Sequence, residues 1–424
     1  MIKFLLRGIL RDKNRSLLPI IIITIGVILT ILLAGFLKGV MGDIIDQNAR
    51  FDTGHVKVMS RAYAKDKDQL PNDLALLGVD ELLDTLRMDF PDVQWVKRIR
   101  FGGLLDVPDS TGETRGQGPA SGMALELFNK NSGEIERLNI EASLKRGRVP
   151  ISSGEAIIGN DFAEKLKIGI GDKVTYVGST MNGSMTFMTF TISGMVTFGA
   201  SSMDKGAIII DISDAQLMLD MPDGAGELLG FLNEGVYIDE KAQQISERFN
   251  QRYAASDDEF APVMQPLREQ NNLASYLDYV DTFSALFVII FVIAMSLVLW
   301  NTGLLGGLRR YQEYGIRLAL GENKGHIYRS MVLEAVLIGI IGSVIGTTLG
   351  LGLTYYLQVH GINIGDMMAD SSMMMPTVMR ARVTPSLFYI GFIPGLFAMV
   401  LGNMLSGIGI YKRETATLFK ELEV

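Results

Sequence analysis

Residue types that usually carry chemistry are present but scattered. The three histidines, His55, His326 and His360, lie far apart, there is no cysteine, and Gly199-Ala200-Ser201-Ser202-Met203 lacks the second glycine of a nucleophile elbow. Neither a hydrolase site, a histidine metal cluster nor thiol chemistry is supported. No G-x-x-x-x-G-K-[ST] run occurs to cradle the phosphates of ATP. We therefore assign no catalytic, cofactor-binding or metal-binding residue and expect no enzyme activity in this chain. What stands out instead is a charged segment with helical spacing. Glu313 and Arg317 are four apart in acid-first order and can pair along one helix face. Ile316, Leu318, Ala319 and Leu320 supply apolar surface, Gly321 is placed to end the helix, and 322–325 reads as a turn. That is the chemistry of docking: a short amphipathic helix that inserts into a groove of a soluble partner. A hairpin that only connects two membrane spans fits the same spacing.

The elements that must position this segment are apolar. Residues 17–37, 283–308, 331–357 and 387–410 form four stretches, each long enough for the about 20 residues that cover ~30 Å of hydrocarbon. None has a charge in its middle. Lys3, Arg7, Arg11, Lys13 and Arg15 precede the first; Arg309, Arg310, Arg317, Lys324 and Arg329 lie between the second and third; Lys412, Arg413 and Lys420 follow the fourth. The positive-inside rule puts all three groups in the cytoplasm, so both termini share a side, as an even number of spans requires. Arg380 and Arg382 fall on the opposite side and could anchor at headgroups. The first run exceeds the h-region of a signal peptide and lacks an A-x-A-like site after it, so an uncleaved anchor is expected.

The expected division is an amphipathic cytoplasmic segment 1–16, spans 17–42, 280–308, 330–357 and 386–411, a large extracytoplasmic domain 43–279, a cytoplasmic loop 309–329, an outer loop 358–385 and a cytoplasmic tail 412–424. Residues 43–279 hold 37 acidic and 23 basic residues, so the acidic excess lies there, and nucleic acid is a poor partner for such a surface. Within this block 55–59 and 93–99 alternate like strands, 79–88 has helical spacing, and 102–118 has the Gly, Pro, Asp and Thr of a loop. From about 144 to 232 the texture becomes β-rich, with turn glycines and a helix at 161–166. A strand at 235–239 and a helix at 242–253 then resume an α/β pattern, and 273–281 reads as a helical stalk. The fold class expected is a four-span helical membrane protein with an extracytoplasmic α+β domain containing a β-rich inserted subdomain.

Three further features bear on function. Gly342, Gly346 and Gly350 give the third span a smooth face for close helix approach, either within the chain or at an interface between subunits. Glu334 lies about one turn inside that span, near enough to its N-terminus to reach the interface and the helix dipole. The methionines of 367–375 form a flexible loop or an adaptable surface for acyl chains.

The run E-Y-G-I-R-L-A-L-G-E-N-K-G-H-I at 313–327, followed by Glu334-Ala335 and a glycine-spaced span, resembles the FtsX-like, or MacB-type, permease subunits of ABC transporters. The succession GEAIIG, AEKLKIGIGDKV, FTISGMV and IIIDISDAQ is similar to the periplasmic core domain of that family. The resemblance implies that Glu313, Gly315, Arg317, Gly321 and His326 lie in the coupling helix and turn that meet a cytoplasmic ATPase, which would bind the ATP and magnesium. It implies a bacterial inner-membrane location and a second permease, as homodimer or heterodimer with a paralogue. Tyr411 to Ala416 lacks the proline often found after the last span of the family. LLRGILRDKNRSLLP at the start and TGHVKVMSRAY at 53–63 look most like lipoprotein-releasing permeases of the LolC/LolE type, which implies lipoprotein or other amphipathic cargo and a periplasmic carrier. Peptide or drug export and regulation of a wall hydrolase share the scaffold. A membrane-anchored receptor or scaffold that moves no cargo is the reading from another class.

Overall fold

The computed structural model describes residues 13–66, 69–109, 111–271, 316–363 and 378–412, with most of 273–301. The chain forms two units, one of residues 1–43, 278–362 and 379–424, the other of residues 44–277 and 363–378. In chain order its elements are α1 (Lys13–Asn48), β1 (Val56–Ser60), β2 (Leu76–Leu77), α2 (Val79–Asp89), β3 (Val93–Pro108), β4 (Thr114–Leu125), β5 (Leu144–Gly147) and β6 (Glu155–Gly159). There follow α3 (Asn160–Leu166), β7 (Lys173–Ser179), β8 (Met185–Val196), β9 (Ala207–Asp211), α4 (Ile212–Met218), β10 (Gly224–Ala225), β11 (Glu227–Leu232), α5 (Asp239–Tyr253) and β12 (Pro262–Pro266). The chain ends on α6 (Lys324–His360) and α7 (Ser386–Lys412).

Among the described residues three helices, α1, α6 and α7, are long and apolar enough to cross a membrane. The expected second span is covered only in part: its described residues between 282 and 301 are helical, and 302–308 lie outside the described residues. Ile23, Val27, Ile31 and Ala34 of α1 are buried with Ala335 and Ile338 of α6 and Leu387, Ala398 and Met399 of α7. The same helices leave Ile21, Ile25, Leu29, Val344, Leu349, Phe388 and Phe397 exposed. A continuous apolar exterior of this kind is stable against lipid, where each helix satisfies its own backbone. The segment before α7 is tied to α1: Arg382 N donates to Gly35 O at 2.9 Å and Lys38 Nζ to Ser386 Oγ at 2.7 Å. The two arginines that break the charge rule therefore sit against the last turns of α1, with the Arg382 guanidinium over Gly42.

The other unit is mixed α+β. β1 lies antiparallel between β12 and β11, and β11 pairs with Val93–Arg98 of β3. β3 is 16 residues long, and its second half takes different partners, β4 on one side and β7 on the other. From there the pairing runs β4 to β9, β9 to β6, β6 to β8 and β8 back to β7, which closes a six-stranded barrel. The barrel takes two strands from 99–125, upstream of the 144–232 segment expected to hold the β-rich subdomain, while β11 at the end of that segment belongs to the β1 sheet. Alternation along β6 and β9 separates two faces. Ala156, Ile158, Ile208 and Ile210 join Phe162, Tyr176 and Phe190 in one cluster, and Ile157, Ala207 and Ile209 join Leu138 and Ile140 in another.

The glycine-rich stretch 102–118, expected as a loop, is a β-hairpin with a short tip. The hairpin's glycines make room for rings from β7, from α3 and from the hairpin's own facing strand. A Cβ at Gly103 would stand 2.5 Å from the Tyr176 ring, one at Gly118 2.8 Å from the Phe162 ring and one at Gly122 1.9 Å from the Phe101 ring. Close approach to backbone is a recurrent reason for glycine inside a strand. The strand expected at 235–239 is an irregular connection that runs into α5 at Asp239; the strand is Glu227–Leu232, whose six residues are all buried and so show no alternation.

Candidate functional site: the turn before α6 and the joints of the α/β unit

Residues 316–319 form a short helix that stops at Gly321. Gly321 has φ of +90°, a conformation other residues adopt at a cost. Gly321 N donates to Leu318 O at 3.0 Å and Glu322 N to Arg317 O at 3.0 Å, the two bonds of a Schellman stop. Arg317 then closes the motif with its side chain, Nε to Glu322 Oε2 at 2.6 Å and Nη2 to Oε1 at 2.7 Å. That fork holds the Glu322 carboxyl below the usual carboxylate range. His326 Nε2 stands 3.6 Å from Glu322 Oε1, an ion pair only when the imidazole is protonated. Asn323 starts α6, accepting from His326 N at 2.8 Å through its carbonyl. Leu318 packs on Ile327 and Met331, which leaves Ile316 and Leu320, four residues apart, 55% and 82% exposed. The result is an apolar knob on a turn held by a charged fork. Arg317, Gly321 and His326 thus meet at Glu322, a residue expected only as part of the turn; Glu313 and Gly315 lie outside the described residues.

Gly342, Gly346 and Gly350 face α1. Cβ atoms placed there would stand 2.9 Å from Ile23 Cβ, 2.8 Å from Val27 Cβ and 3.1 Å from Ile31 Cδ1. Gly391 and Gly395 of α7 approach the same Ile31 and Val27. Thr24 Oγ1 donates to Gly342 O at 3.3 Å. Glu334 is half-buried on α6.

In the α/β unit, charged groups occupy the places where the chain enters and leaves the sheet. After α1 a single π-turn, Ala49–Thr53, carries Asp52 beside Lys57 of β1 and Arg100 of β3. Burial raises the Asp52 carboxyl, but Lys57, Arg100 and the Asn271 amide outweigh it and bring it down to about 2. Lys57 also bonds Glu227 of β11 at 2.8 Å, with both side chains at most 3% exposed. His55 is buried: its Nδ1 accepts from Leu232 N at 3.0 Å and its ring meets Phe231 and Tyr237 edge-on. Burial, with Arg137 and Arg50 nearby, lowers it to about 4. Deeper in, Arg98 of β3 forks onto Glu134 at 2.7 and 3.2 Å, both side chains at most 1% exposed, and Arg137 bonds the same carboxylate while lying 4.0 Å over the Phe231 ring. A lysine in the apolar run VKVMS was the one sequence signal for this network.

Two grooves flank the hairpin tip of β7 and β8, one of about 640 Å³ lined by Leu76, Leu77, Leu82, Met181, Tyr253 and Phe260, and one of about 770 Å³ reaching Asn72, Phe101 and Tyr176. Among the described residues no group of three or more His, Asp or Glu side chains converges to hold a metal.

Apolar helices of membrane-spanning length on a chain that also folds a barrel-containing α+β unit define an integral membrane protein with a large folded domain. Residues 16–248 match the MacB-like periplasmic core domain and residues 285–415 the FtsX-like permease C-terminal domain. The chain belongs to the FtsX-like permease family of ABC transporters, the branch with a MacB-like periplasmic core. Among curated proteins it is 26% identical over 221 residues to the lipoprotein-releasing system transmembrane protein LolC of Xylella fastidiosa, covering 51% of this chain and 50% of that one. It is 24% identical over 168 residues to the macrolide export ATP-binding/permease protein MacB of Brucella abortus, covering 40% and 25%. The alignment with LolC thus spans about half the length of either chain. Among solved structures, the periplasmic region of MacB from Actinobacillus actinomycetemcomitans aligns with 55% of this chain and 95% of its own at 9% identity and a TM-score of 0.37.

Proposed function

We propose that this chain is the permease subunit through which a separate cytoplasmic ATPase performs work on the outer face of a bacterial inner membrane, with both termini and the turn before α6 in the cytoplasm. The observation that carries the reading is the knob of Ile316 and Leu320 on a helix locked by the Arg317–Glu322 fork. Such a knob suits a groove on a soluble partner, and its rigidity lets a push on it reach α6 through Leu318, Ile327 and Met331 instead of being absorbed by the loop. Glu313, Gly315 and His326 complete the same coupling surface. One permease has nothing to open against, so two copies, or this chain and a paralogue, form the working unit. Four spans, the second running through 283–308, give both termini the same side.

The cargo we propose is a lipoprotein or similar lipid-anchored molecule, lifted from the outer leaflet and passed to a periplasmic carrier. The lipoprotein-releasing relative supports this, as do the opening segment and the 53–63 run. Export of a small amphipathic molecule is the second reading, favoured by the MacB relatives. The test is purification of the chain in nanodiscs from cells, identification of any co-purifying ATPase, and mass spectrometry of trapped cargo. Arg317→Glu is expected to leave membrane insertion intact and abolish cargo movement per ATP hydrolysed. Undiminished transport by that variant would refute the coupling role.

A further inference from the structure

The α/β unit is entered through residues 49–55, leading to β1, and left through residues 267–273, following β12. One carboxylate holds both. Asp52 Oδ1 accepts from Lys57 Nζ at 3.3 Å and from Arg100 Nη1 at 2.9 Å, and Asp52 Oδ2 accepts from Asn271 Nδ2 at 2.6 Å. Its partners therefore come from β1, from β3 and from the exit segment. Gln270, fully buried, repeats the link: its Nε2 donates to Thr53 O at 3.3 Å and to Gln265 O at 3.1 Å. Beneath these bonds lies an apolar pad in which Ile45 at the end of α1 and Ala49 of the entry meet Leu267 and Leu273 of the exit over Val96, Leu229 and Phe231.

The pad alone is non-directional, so entry and exit could slide over the sheet without losing much buried area. The carboxylate adds direction. Lys57 is 2% exposed and bridges Asp52 to the buried Glu227 of β11, and Arg100 contributes a second charge-assisted bond to Asp52. We propose that Asp52 is a positioning residue that locks the entry and exit segments to each other and to β1 and β3, so that a displacement arriving along either one reaches the sheet as a single movement. This rests on the reading of the chain as a subunit moved by an ATPase. It assigns the coupling of the two joints to one residue that no catalytic or cargo argument uses.

The test uses the full chain in lipid nanodiscs and hydrogen exchange read by mass spectrometry, comparing the native chain with Asp52→Asn and Asn271→Gly. Asp52→Asn keeps the shape and removes the charge. Exchange is expected to quicken together in 49–58 and 267–273, on the order of tenfold, the scale of one lost charge-assisted bond. The barrel strands β6 to β9 should keep their protection. Quickening in one segment only, or in neither, overturns the lock. Asn271→Gly, at an exposed position whose φ of +52° glycine adopts without strain, removes the amide arm to Asp52 and is expected to loosen 267–273 alone, which separates unlocking from misfolding. With the partner ATPase and ATP present, Asp52→Asn should hydrolyse ATP at the native rate while the ATP-dependent change in exchange of β1 and β3 is lost. A native response from that variant overturns the positioning role and leaves the permease reading standing. No ATP response in the native chain would remove the permease reading itself, and the first arm would still decide whether the lock exists.

Discussion

Adding one methyl group to Gly346 should separate α6 from α1. Its Cβ would stand 2.8 Å from Val27 Cβ, 2.9 Å from Val27 Cγ1 and 3.0 Å from the Thr24 carbonyl oxygen, whereas carbon atoms in good contact sit about 3.5–4.0 Å apart. Val27 Cβ is bonded to backbone, so no rotamer change relieves the clash. The helices must part by roughly 0.5–1 Å, a gap that forfeits about a quarter to a half of each affected contact. Neighbouring contacts, Gly342 on Ile23 and Gly350 on Ile31, open with it. Overpacking of this kind costs about 1–3 kcal/mol, against which alanine's better helix propensity returns at most about 1 kcal/mol. Gly352, on the same helix, has nothing within 4 Å of its Cβ position, so Gly352→Ala gains the propensity alone. Unfolding of both variants and the native chain in mixed micelles of graded denaturing-detergent content should rank Gly352→Ala at or above native and Gly346→Ala below it. Equal stability of the two variants would refute the argument that this glycine face is there for close packing.

His55 makes the α/β unit acid-sensitive. Its folded pKa of about 4 lies below the ordinary 6.5, so the unfolded chain binds the extra proton first as pH falls. Stability contributed by the buried neutral ring is complete above about pH 6.5 and is lost as pH falls towards 4, by about 3 kcal/mol at most; urea titrations of the full chain from pH 7.5 to 4 check this, and His55→Gln should flatten the dependence. Glu134→Gln leaves Arg98 buried without a counter-charge and should cost about 3–5 kcal/mol. Lys65→Ala, which breaks a pair with both side chains about two-thirds exposed, should change stability by less than about 1 kcal/mol in the same titration.

What the sequence disclosed and what it concealed have separate physical causes. Long apolar runs and the four-residue glycine spacing of α6 are local patterns, and a local pattern reads directly as a helix with a smooth face. The hairpin of β3 and β4 was hidden because the rings that fill the space above Gly103, Gly118 and Gly122 come from Tyr176, Phe162 and Phe101. The Phe101 ring comes from the facing strand of the hairpin itself, and only the wider fold brings the Tyr176 and Phe162 rings there, so the glycines alone look like loop. β11 was missed because burial on both faces erases alternation, and the nearby 235–239 run with Tyr237 and Ile238 looked more strand-like than it is. Glu322 was overlooked because the acid-first spacing of Glu313 and Arg317 pointed up the helix, while the fork that fixes the turn reaches forward past Gly321. Asp52 gave no signal at all: its partners Lys57, Arg100 and Asn271 are gathered by tertiary structure from across the unit.

The chain contains no cysteine, so a single Leu320→Cys reports on one site. The most direct measurement is to place that thiol, together with a separate Met185→Cys variant in the α/β unit, in intact cells expressing the partner ATPase. An impermeant maleimide then probes the periplasmic side, and a short bifunctional cross-linker the cytoplasmic one. The account predicts that Met185→Cys is labelled from outside, that Leu320→Cys is not, and that Leu320→Cys cross-links to the ATPase. Labelling of Leu320→Cys from outside, or no adduct with the ATPase when the thiol is accessible from the cytoplasm, would contradict it.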